Sequence, residues 1–500
     1  MKSIPFKNRY VNLGEVFYVK TKPATVADPA LIKFNDELAK TLGFSAISAE
    51  SCAAIFSGNV IPDGAEPLAM AYAGHQFGHF NPQLGDGRAI LLGELEHPSC
   101  GSVSVQLKGS GQTFYSRNGD GCAALGPVLR EYLLSEAMVK LGVPTTRALA
   151  AVTTGEQVAR ERMLPGGVIT RIASSFVRVG TFEFFAARDN YESVKQLADY
   201  VIEHNYPEAR ESKNPYIELL QAVVDHQAVL IAQWMQLGFI HGVMNTDNMS
   251  IAGETIDYGP CAFMDVFDRN KVFSSIDRDG RYAYSNQPSI GLWNLTRLAE
   301  TLLPLLAKDS DAAIEIAKSV LETYIETYQR AWLAGMRSKC GLIDVSDKTV
   351  HEDKALIDAL LDTMAENNAD FTLTFYQLSR LSSQSMKLAP DNDNDSDIRS
   401  LFDDPAQFDE WAVKWRRRLI DESQSDAERQ EKMQAVNPVY IPRNHQVEAA
   451  IRAAEDHGDF SVFHDLHEVL QNPFVKQKGK DGYMSPPEPH QVVTQTFCGT

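Results

Sequence analysis

The sequence predicts an α+β fold of two lobes, and two features of the chain support this. Glycines and short β-type runs are concentrated in residues 66–185, whereas apolar residues at helical spacing predominate from about Tyr191 onward. Strands grouped before helices, rather than alternating with them, are typical of α+β proteins. Hydrophobic residues make up 44% of the 500 residues, so the chain can bury a sizeable core.

The front half is expected to supply most of the strands. A helix is expected near residues 29–42, and four short apolar runs with β propensity follow it. The expected strands are residues 89–92, 103–107, 149–153 and 168–172. Between the second and the third strand, residues 127–140 repeat apolar side chains at helical spacing, which predicts a helix with Pro127 in its first turn.

The back half is expected to be mostly helical. Its longest candidate helix is Pro215–Leu237, with Asn214 as the N-cap, Pro215 in the first turn and Gly238 just beyond the end. Two polar motifs follow this helix before residue 267, and helical patterns resume from about Leu292.

Four regions follow from these patterns. They are an N-terminal extension (1–65), a strand-rich N-lobe (66–185), a helical C-lobe that carries the polar motifs (186–385) and a C-terminal helical region (398–500).

A short acidic linker precedes the last region. Asp391, Asp393 and Asp395 alternate there as they do at the start of a calcium-binding loop. Ser396 stands where such a loop needs glycine and Phe402 where it needs glutamate. The sequence therefore favours a solvated acidic loop over a calcium site.

The charge balance limits the partners of the protein. The formal net charge is −19, which argues against a general binder of nucleic acids or anionic membranes but allows a local basic pocket for phosphate. Neither a signal peptide nor a membrane-spanning run is expected. Six cysteines are few for a chain of this length, which suggests a reducing compartment, so a cytoplasmic location is expected.

The first polar motif is similar to a kinase catalytic loop, H-R-D-L-x-x-x-N. His241 takes the first position, and Asn248 falls where the metal-binding asparagine belongs. The base position is held by Val243, which cannot accept a proton, but an acid occurs at Asp247.

The second polar motif is Asp257-Tyr258-Gly259, which matches the metal-binding D-F-G motif of kinases. Magnesium prefers hard oxygen ligands and usually takes one or two carboxylates plus phosphate oxygens. Asn248 and Asp257 could supply such a set. Taken alone, the tripeptide is also ordinary turn chemistry.

A lysine at the end of an apolar β-run is the third feature typical of kinases. Lys108 ends the expected strand 103–107, in the position of the strand lysine that pairs with phosphates and a helix glutamate. In the following helix, Glu131 is the expected partner because it lies in the first turns. Glu136 is an alternative that is otherwise expected to be solvated.

Glycine clusters and two arginines complete the candidate phosphate site. The clusters lie at residues 74–78, at 83–88 with Gly85, Gly87 and Arg88, and at 117–121 with Asp120 and Gly121. Glycines let backbone amides approach phosphates closely, although tight hairpin turns would explain them as well. Arg171 and Arg178, next to apolar runs, are candidates for phosphate contacts, with surface ion pairs as the alternative.

Taken together, in this order and spacing, these motifs predict a protein-kinase-like two-lobed fold with additional C-terminal helices. The chain resembles the selenoprotein O family, pseudokinases that act as protein adenylyltransferases and include bacterial members. The segments that carry the resemblance are residues 72–94, 106–121, 129–138, 168–183, 241–251 and 256–260.

The resemblance implies an activity and its cofactors. Members bind ATP flipped relative to kinases, so that the α-phosphate faces the acceptor, and they transfer AMP to Ser, Thr or Tyr hydroxyls of proteins. The resemblance also implies that ATP is bound together with a magnesium ion, or with manganese in its place. Self-modification is compatible with this activity.

The resemblance also implies residue roles. Lys108, Arg171 and Arg178 would hold the phosphates, with Glu131 paired to Lys108. Asn248 and Asp257 would bind the metal, and Asp247 would accept the proton. The remaining nucleotide contacts would come from Gly85, Gly87, Arg88, Asp120 and Gly121.

Cys498, third from the end, is similar in position to the selenocysteine of animal members, which implies a redox role with Cys261 as a candidate partner.

Three other activities compete with AMP transfer. They are a true kinase, which the valine at position 243 opposes, a non-catalytic nucleotide-binding scaffold, and UMP transfer from UTP with manganese.

Overall fold

A computed structural model describes residues 4–44, 47–97, 101–344, 347–383 and 393–497. It combines one large sheet with many helices, which confirms the predicted α+β class. Nearly all strand residues precede residue 174, and the long helices follow it. Within the described residues, none of the helices has both the length and the apolar character needed to cross a membrane.

The strands form one large antiparallel sheet and two small hairpin-like pairs. Their bounds are β1 (Tyr18–Lys20), β2 (Ala30–Phe34), β3 (Leu68–Met70), β4 (Gly74–Gln76), β5 (His79–Asn81), β6 (Ala89–His97), β7 (Gly101–Lys108), β8 (Ala123–Ala124), β9 (Arg147–Ala159), β10 (Met163–Ala173), β11 (Phe239–Ile240) and β12 (Ala262–Phe263). The large sheet has the order β1-β3-β6-β7-β10-β9-β2, with β8 beside β10. β4 pairs with β5, and β11 pairs with β12.

Helices pack on the sheet and make up most of the chain that follows it. Their bounds are α1 (Asp36–Thr41), α2 (Ala49–Phe56), α3 (Leu125–Lys140), α4 (Val179–Ala186), α5 (Tyr191–Asn205), α6 (Pro215–Leu237), α7 (Gln287–Leu306), α8 (Ser310–Lys339), α9 (Asp347–Glu366), α10 (Phe371–Leu378), α11 (Asp393–Arg399), α12 (Pro405–Leu419), α13 (Asp426–Gln434), α14 (Asn444–His457) and α15 (Ser461–Leu470).

Helix α6 has the ends that its sequence predicts. The side chain of Asn214 accepts hydrogen bonds from the backbone amides of Tyr216 and Ile217, at 3.0 and 3.4 Å. Gly238 ends the helix in the left-handed conformation with φ 69°. This helix leads directly into β11 and the first polar motif, so its capped ends fix where that motif begins.

The helix predicted at residues 29–42 is wrong in its first half. Residues Ala30–Phe34 form β2, an edge strand that pairs with β9, and only Asp36–Thr41 are helical. Asn35 begins that helix, because its side chain accepts a hydrogen bond from the Leu38 amide at 3.1 Å. Pairing with β9 makes the first half a strand, and the periodicity of the local sequence cannot predict that pairing.

The acidic linker is not the solvated loop that the sequence predicts, in the part that the structure describes, from residue 393 onward. Asp395 lies in α11, is only 4% exposed and forms an ion pair with Arg416 at 3.6 Å, so it does not belong to a solvated loop. Asp391 and the side chain of Asp393 lie outside the described residues. The arginine reaches Asp395 from α12, which the sequence of the linker alone cannot indicate.

Alternation along β7 separates the hydrophobic core from the polar site. Val103, Val105 and Leu107 pack in a core with Phe56 of α2. Side chains at successive positions of a strand point to opposite faces, so Gln106 and Lys108 face the other way, toward α3. On the neighbouring strand β10, the register places Arg171 opposite Gln106 and Ile169 opposite Lys108.

A buried ion-pair group joins the C-terminal helices to the segment after β12. Arg443, just before α14, contacts Asp265 and Asp370, the latter through two bonds of 2.8 and 3.2 Å. Arg443 is buried, and burial raises the pKa of Asp265 despite the nearby guanidinium. The C-terminal region is thus tied to the part of the chain that follows the second polar motif.

We expect Arg443→Met to lower the free energy of unfolding by about 3–5 kcal/mol, because it leaves the buried Asp370 and the half-buried Asp265 without their cation. Urea unfolding at neutral pH would measure the change. Arg417→Met, at an exposed position of α12, is the matched control and should change stability little. Equal effects of the two substitutions would contradict the structural role of Arg443.

Candidate functional site

The site is built around the carboxylate of Asp257, which contacts three cations. Its Oδ1 accepts hydrogen bonds from Arg171 at 2.7 Å and from Lys108 at 3.1 Å. Its Oδ2 accepts one from Arg178 at 2.5 Å. The structure therefore brings together four of the residues predicted for the site, from β7, β10, the start of α4 and the second polar motif.

A tight turn presents this carboxylate to the cations. Asp257 has a left-handed backbone with φ 59°, a conformation that few residues other than glycine adopt without strain. The turn is fixed on both sides, because the Gly259 amide donates to the Asp257 carbonyl at 2.8 Å and His241 Nε2 donates to the Ile256 carbonyl at 2.8 Å. The two polar motifs are thus bonded to each other.

Opposing effects determine the ionisation of Asp257. Burial alone would raise its pKa, but the charges of Arg178, Lys108 and Arg171 outweigh burial and hold the pKa well below its usual range. The carboxylate is therefore ionised at neutral pH.

Helix α3 supplies a second acid to the same group. Glu131 contacts Lys108 at 2.7 Å and Arg171 at 3.2 Å. Glu136, the alternative partner, is not solvated as expected: it is buried and pairs with Arg147 at 2.8 Å. Glu131 lies nearer the N-terminal end of α3, so it faces the end of β7, whereas Glu136 faces β9.

Two further polar residues orient Arg171, and the sequence analysis did not identify them. Gln106 accepts a hydrogen bond from Arg171 Nη2, and its own amide donates to Asp86 at 3.1 Å. The Met70 amide also donates to Asp86, at 3.2 Å. Burial raises the pKa of Asp86 to about 6, although Arg178 opposes this. The alternation of β7, which places Gln106 on the face of Lys108, was the available signal.

Aromatic rings support both arginines. Phe176 lies 5.1 Å from the guanidinium of Arg171, and Tyr72 lies 4.8 Å from that of Arg178. Such stacking restricts the planar guanidinium without using its hydrogen-bond donors. Neither ring was predicted for the site.

The first polar motif is attached to the segment that precedes α4. Val179 donates to the Met249 carbonyl, and Ile251 donates to the Val177 carbonyl, each at 3.0 Å. Arg178, between them, donates to the backbone carbonyl of Asp247 at 2.5 Å. One guanidinium therefore bridges Asp247 and Asp257, the acids of the two motifs.

Asp247 is buried beneath the hairpin of β4 and β5. Gln76 donates to its Oδ2 at 3.0 Å, whereas its Oδ1 is buried without a hydrogen-bond partner among the described residues. A β-carbon at Gly74 would lie 2.6 Å from that oxygen, so glycine permits the close approach. Burial raises the pKa of Asp247 to about 6, with the charge of Arg178 acting against it.

The hairpin is bonded to the loop at two further points. The His75 amide donates to Thr246 at 2.7 Å, and the Phe77 amide donates to Asn245 at 3.1 Å. Glu183 of α4 joins both sides, because it contacts His75 at 2.5 Å and accepts a bond from the Thr246 hydroxyl. The glycine cluster at residues 74–78 thus holds the first polar motif in place.

Asn248 and Asp257 offer oxygens that a magnesium ion could use. The Asn248 amide nitrogen donates to the Val243 carbonyl at 3.0 Å, which leaves its side-chain oxygen free of that bond. One residue before Asn248, the Oδ1 of Asp247 has no hydrogen-bond partner among the described residues. Hard oxygens from one or two carboxylates and an amide fit the chemistry of magnesium.

The predicted glycines lie in loops packed against each other. Gly85 has φ 73°, and a β-carbon there would lie 2.2 Å from the Tyr115 ring, so only glycine fits. Gly87 approaches the backbone of the same tyrosine, and a β-carbon there would lie 2.9 Å from its carbonyl oxygen. Gly121 packs on Gly111, whose amide donates to the Gly121 carbonyl at 3.1 Å.

The last two predicted residues have different surroundings. Arg88 lines a small cavity with Lys108, Glu131 and Gly259, next to the central group. Asp120 forms a bidentate pair with Arg160 at 2.7 and 3.1 Å, which lowers its pKa. The structure thus places Arg88 near Lys108 and Glu131, and Asp120 beside the hairpin of β9 and β10.

The C-terminal end approaches the second polar motif. The Thr496 hydroxyl donates to the Pro260 carbonyl, and Thr496 also pairs with the backbone of Phe273. Cys261 is buried beside Pro260, whereas Cys498 lies outside the described residues. The pairing of these two cysteines stays a prediction.

Known proteins are similar to this chain over nearly its full length. A family model described as protein adenylyltransferase SelO matches residues 1–471. A protein nucleotidyltransferase YdiU of Rhodopseudomonas palustris (strain BisB5) is 56% identical over 498 residues, 99% of each chain. Proteins of the same name from Rhizobium meliloti (strain 1021) and Rhizobium johnstonii are 55% and 54% identical, covering 100% of this chain and 100% and 98% of their own.

We expect Gln106→Met to weaken binding of a nucleoside triphosphate about tenfold or more. The substitution leaves Arg171 and Asp86 without a shared partner, at a cost of about 1–3 kcal/mol for each buried group. Isothermal titration with a non-hydrolysable ATP analogue would measure this. Gln157→Met, exposed on β9, is the matched control; unchanged affinity in both variants would contradict the role of Gln106.

Proposed function

Since this chain belongs to the SelO family and is a protein nucleotidyltransferase, we propose that it transfers AMP from ATP to Ser, Thr or Tyr hydroxyls of proteins. One observation carries the proposal: Lys108, Arg171 and Arg178 converge on a single carboxylate. Such a group of cations is suited to a triphosphate.

The fold that we propose for the site is kinase-like. Three features support it: an antiparallel sheet before the helices, an ion pair between a strand lysine and α3, and a loop of kinase-like spacing after α6. Val243, at the position of the kinase base, is buried and apolar. A γ-phosphate transfer would lack its proton acceptor there.

Binding of the triphosphate would exchange partners within the central group. Donors already exceed acceptors there, since the Nε atoms of Arg171 and Arg178 are buried without hydrogen-bond partners among the described residues. Phosphate oxygens would take the three cations, and Asp257 would be released to bind the metal. A buried charge cluster makes this exchange favourable because each cation keeps an anionic partner.

Asn248 and Asp257 would hold magnesium, with manganese able to occupy the same oxygens. The ion, when bound, neutralises charge on the phosphates and on the leaving pyrophosphate. Gly85, Gly87, Arg88, Asp120 and Gly121 would make the remaining nucleotide contacts.

Asp247 would act on the acceptor side. The acceptor hydroxyl oxygen attacks the α-phosphorus, the bond to the β-phosphate oxygen breaks, and the hydroxyl proton passes to Asp247. Its raised pKa of about 6 leaves it ionised at neutral pH and brings its basicity closer to that pH. The hydrogen bond from Gln76 would yield to the acceptor. We place this reaction in the cytoplasm, in keeping with the scattered cysteines.

Labelled nucleotides test the proposal directly. Incubation with magnesium and α-labelled ATP should label protein, whereas γ-labelled ATP should not, and intact mass should increase by one AMP. Label from the γ-phosphate would show a kinase, label from UTP but not from ATP a uridylyltransferase, and no label at all a scaffold.

We expect Lys108→Met and Asp257→Asn each to reduce the rate of AMP transfer by roughly 10²–10³-fold, since the first removes a cation from the phosphates and the second removes a ligand of the metal that would neutralise them. Asp247→Asn should reduce it less, because positioning and charge dominate such transfers. Lys195→Met and Asp199→Asn, an exposed ion pair of α5, are matched controls. Control rates equal to the variant rates would refute the assignment.

A further inference from the structure

Two arginines share one tryptophan beside the hairpin of β4 and β5. The guanidinium of Arg281 lies 4.9 Å from the Trp293 ring centroid, and that of Arg297 lies 5.0 Å from it. His75 of β4 contacts the same indole edge-on at 5.2 Å. We call Arg281, Trp293 and Arg297 the arginine–tryptophan stack.

Arg281 lacks an acidic partner within the part of the chain that the structure describes. Arg297 pairs with Glu300 at 2.8 Å, whereas the Arg281 guanidinium contacts the Tyr282 hydroxyl and, among the described residues, its Nε is buried without a hydrogen bond. Asp277 is near in sequence, yet it accepts from the backbone amides of Arg281 and Tyr282, at 2.9 and 2.8 Å. In a chain with 66 acidic residues, this unpaired charge is notable.

The stack lies close to the acceptor side of the site. A β-carbon at Gly78 would lie 3.5 Å from the Arg281 guanidinium carbon, and Gln76, two residues earlier, donates to Asp247. The Tyr282 hydroxyl accepts from the Phe77 amide between them, at 3.1 Å. Residues 76–78 of the hairpin thus separate the arginine from Asp247, a span that an extended acceptor segment of about two or three residues would cover.

The surroundings of the stack suit a peptide. Phe80, which packs on His75, is 40% exposed, so apolar surface adjoins the stack. An arginine stacked on an aromatic ring keeps its in-plane donors available for a carboxylate.

We infer that the arginine–tryptophan stack binds a carboxylate side chain of the acceptor protein, two or three residues from the hydroxyl that receives AMP. The inference rests on the proposed transfer to protein hydroxyls and specifies its substrate class, hydroxyls within acidic segments. Complementary charge carries it, because Arg281 has no acidic partner among the described residues and lies beside the hairpin that contacts Asp247.

Synthetic peptides test the inference with the full chain, ATP and magnesium. Each peptide carries one Ser, Thr or Tyr in a neutral sequence, with Glu at two or three residues before or after it. A matched series has Gln at the same positions. We expect kcat/KM for AMP transfer to be about tenfold higher for the best Glu peptide than for its Gln counterpart.

Substitutions assign that preference to the stack. Arg281→Gln should reduce the Glu-to-Gln ratio toward one, and Arg281→Glu should shift the preference to peptides with Lys at the same positions, which misfolding cannot produce. Arg417→Gln, exposed on α12, removes the same charge elsewhere and should keep the ratio. Affinity for an ATP analogue, measured for every variant, reports whether the nucleotide site is intact.

Each outcome has a defined meaning. Equal rates for the Glu and Gln series, or an unchanged ratio in both Arg281 variants, overturn the inference while the proposed function stands. Labelling of the protein itself without modification of either series also overturns it, since an acidic segment then does not suffice for docking. Absence of AMP transfer to any acceptor, the protein included, overturns the proposed function instead.

Discussion

The ion pairs of Asp257 hold the site together. Lys108, Arg171 and Arg178 come from three separate segments and would repel one another if this carboxylate were absent. The carboxylate, in turn, would be buried without compensation if they were absent. Because each charge compensates the other, removing one residue of this group would be costly. The group can still exchange partners, because an incoming polyanion can replace the carboxylate on each cation.

The surrounding structure keeps that group in one arrangement. Alternation along β7 and the register with β10 place Gln106, Lys108 and Arg171 on one face, and α3 covers them with Glu131. The hairpin of β4 and β5 closes the opposite side by bonding the loop that contains Asp247. The residues that we propose for the nucleotide and those that we propose for the acceptor are therefore connected through short, buried contacts.

Sequence reasoning predicted the local features and the contacts that known motifs indicate, but it missed the long-range contacts that no motif indicates. The ends of α6 follow from Asn214 and Gly238, since caps act within a few residues. The strand β2 depends on pairing with β9, more than a hundred residues later. Asp86 and Gln76 belong to the site because they contact Gln106 and Asp247, which only the folded chain brings near them. No rule of sequence spacing could indicate these contacts.

A crystal structure with magnesium and an ATP analogue that cannot be cleaved between its α- and β-phosphates would test the central claim most directly. The account predicts phosphate oxygens on Lys108, Arg171 and Arg178, with the metal bound to Asn248 and Asp257. The innermost phosphorus should face Asp247. If the outermost phosphorus faces Asp247 instead, or if the three cations remain on Asp257 with the nucleotide bound elsewhere, the account is contradicted.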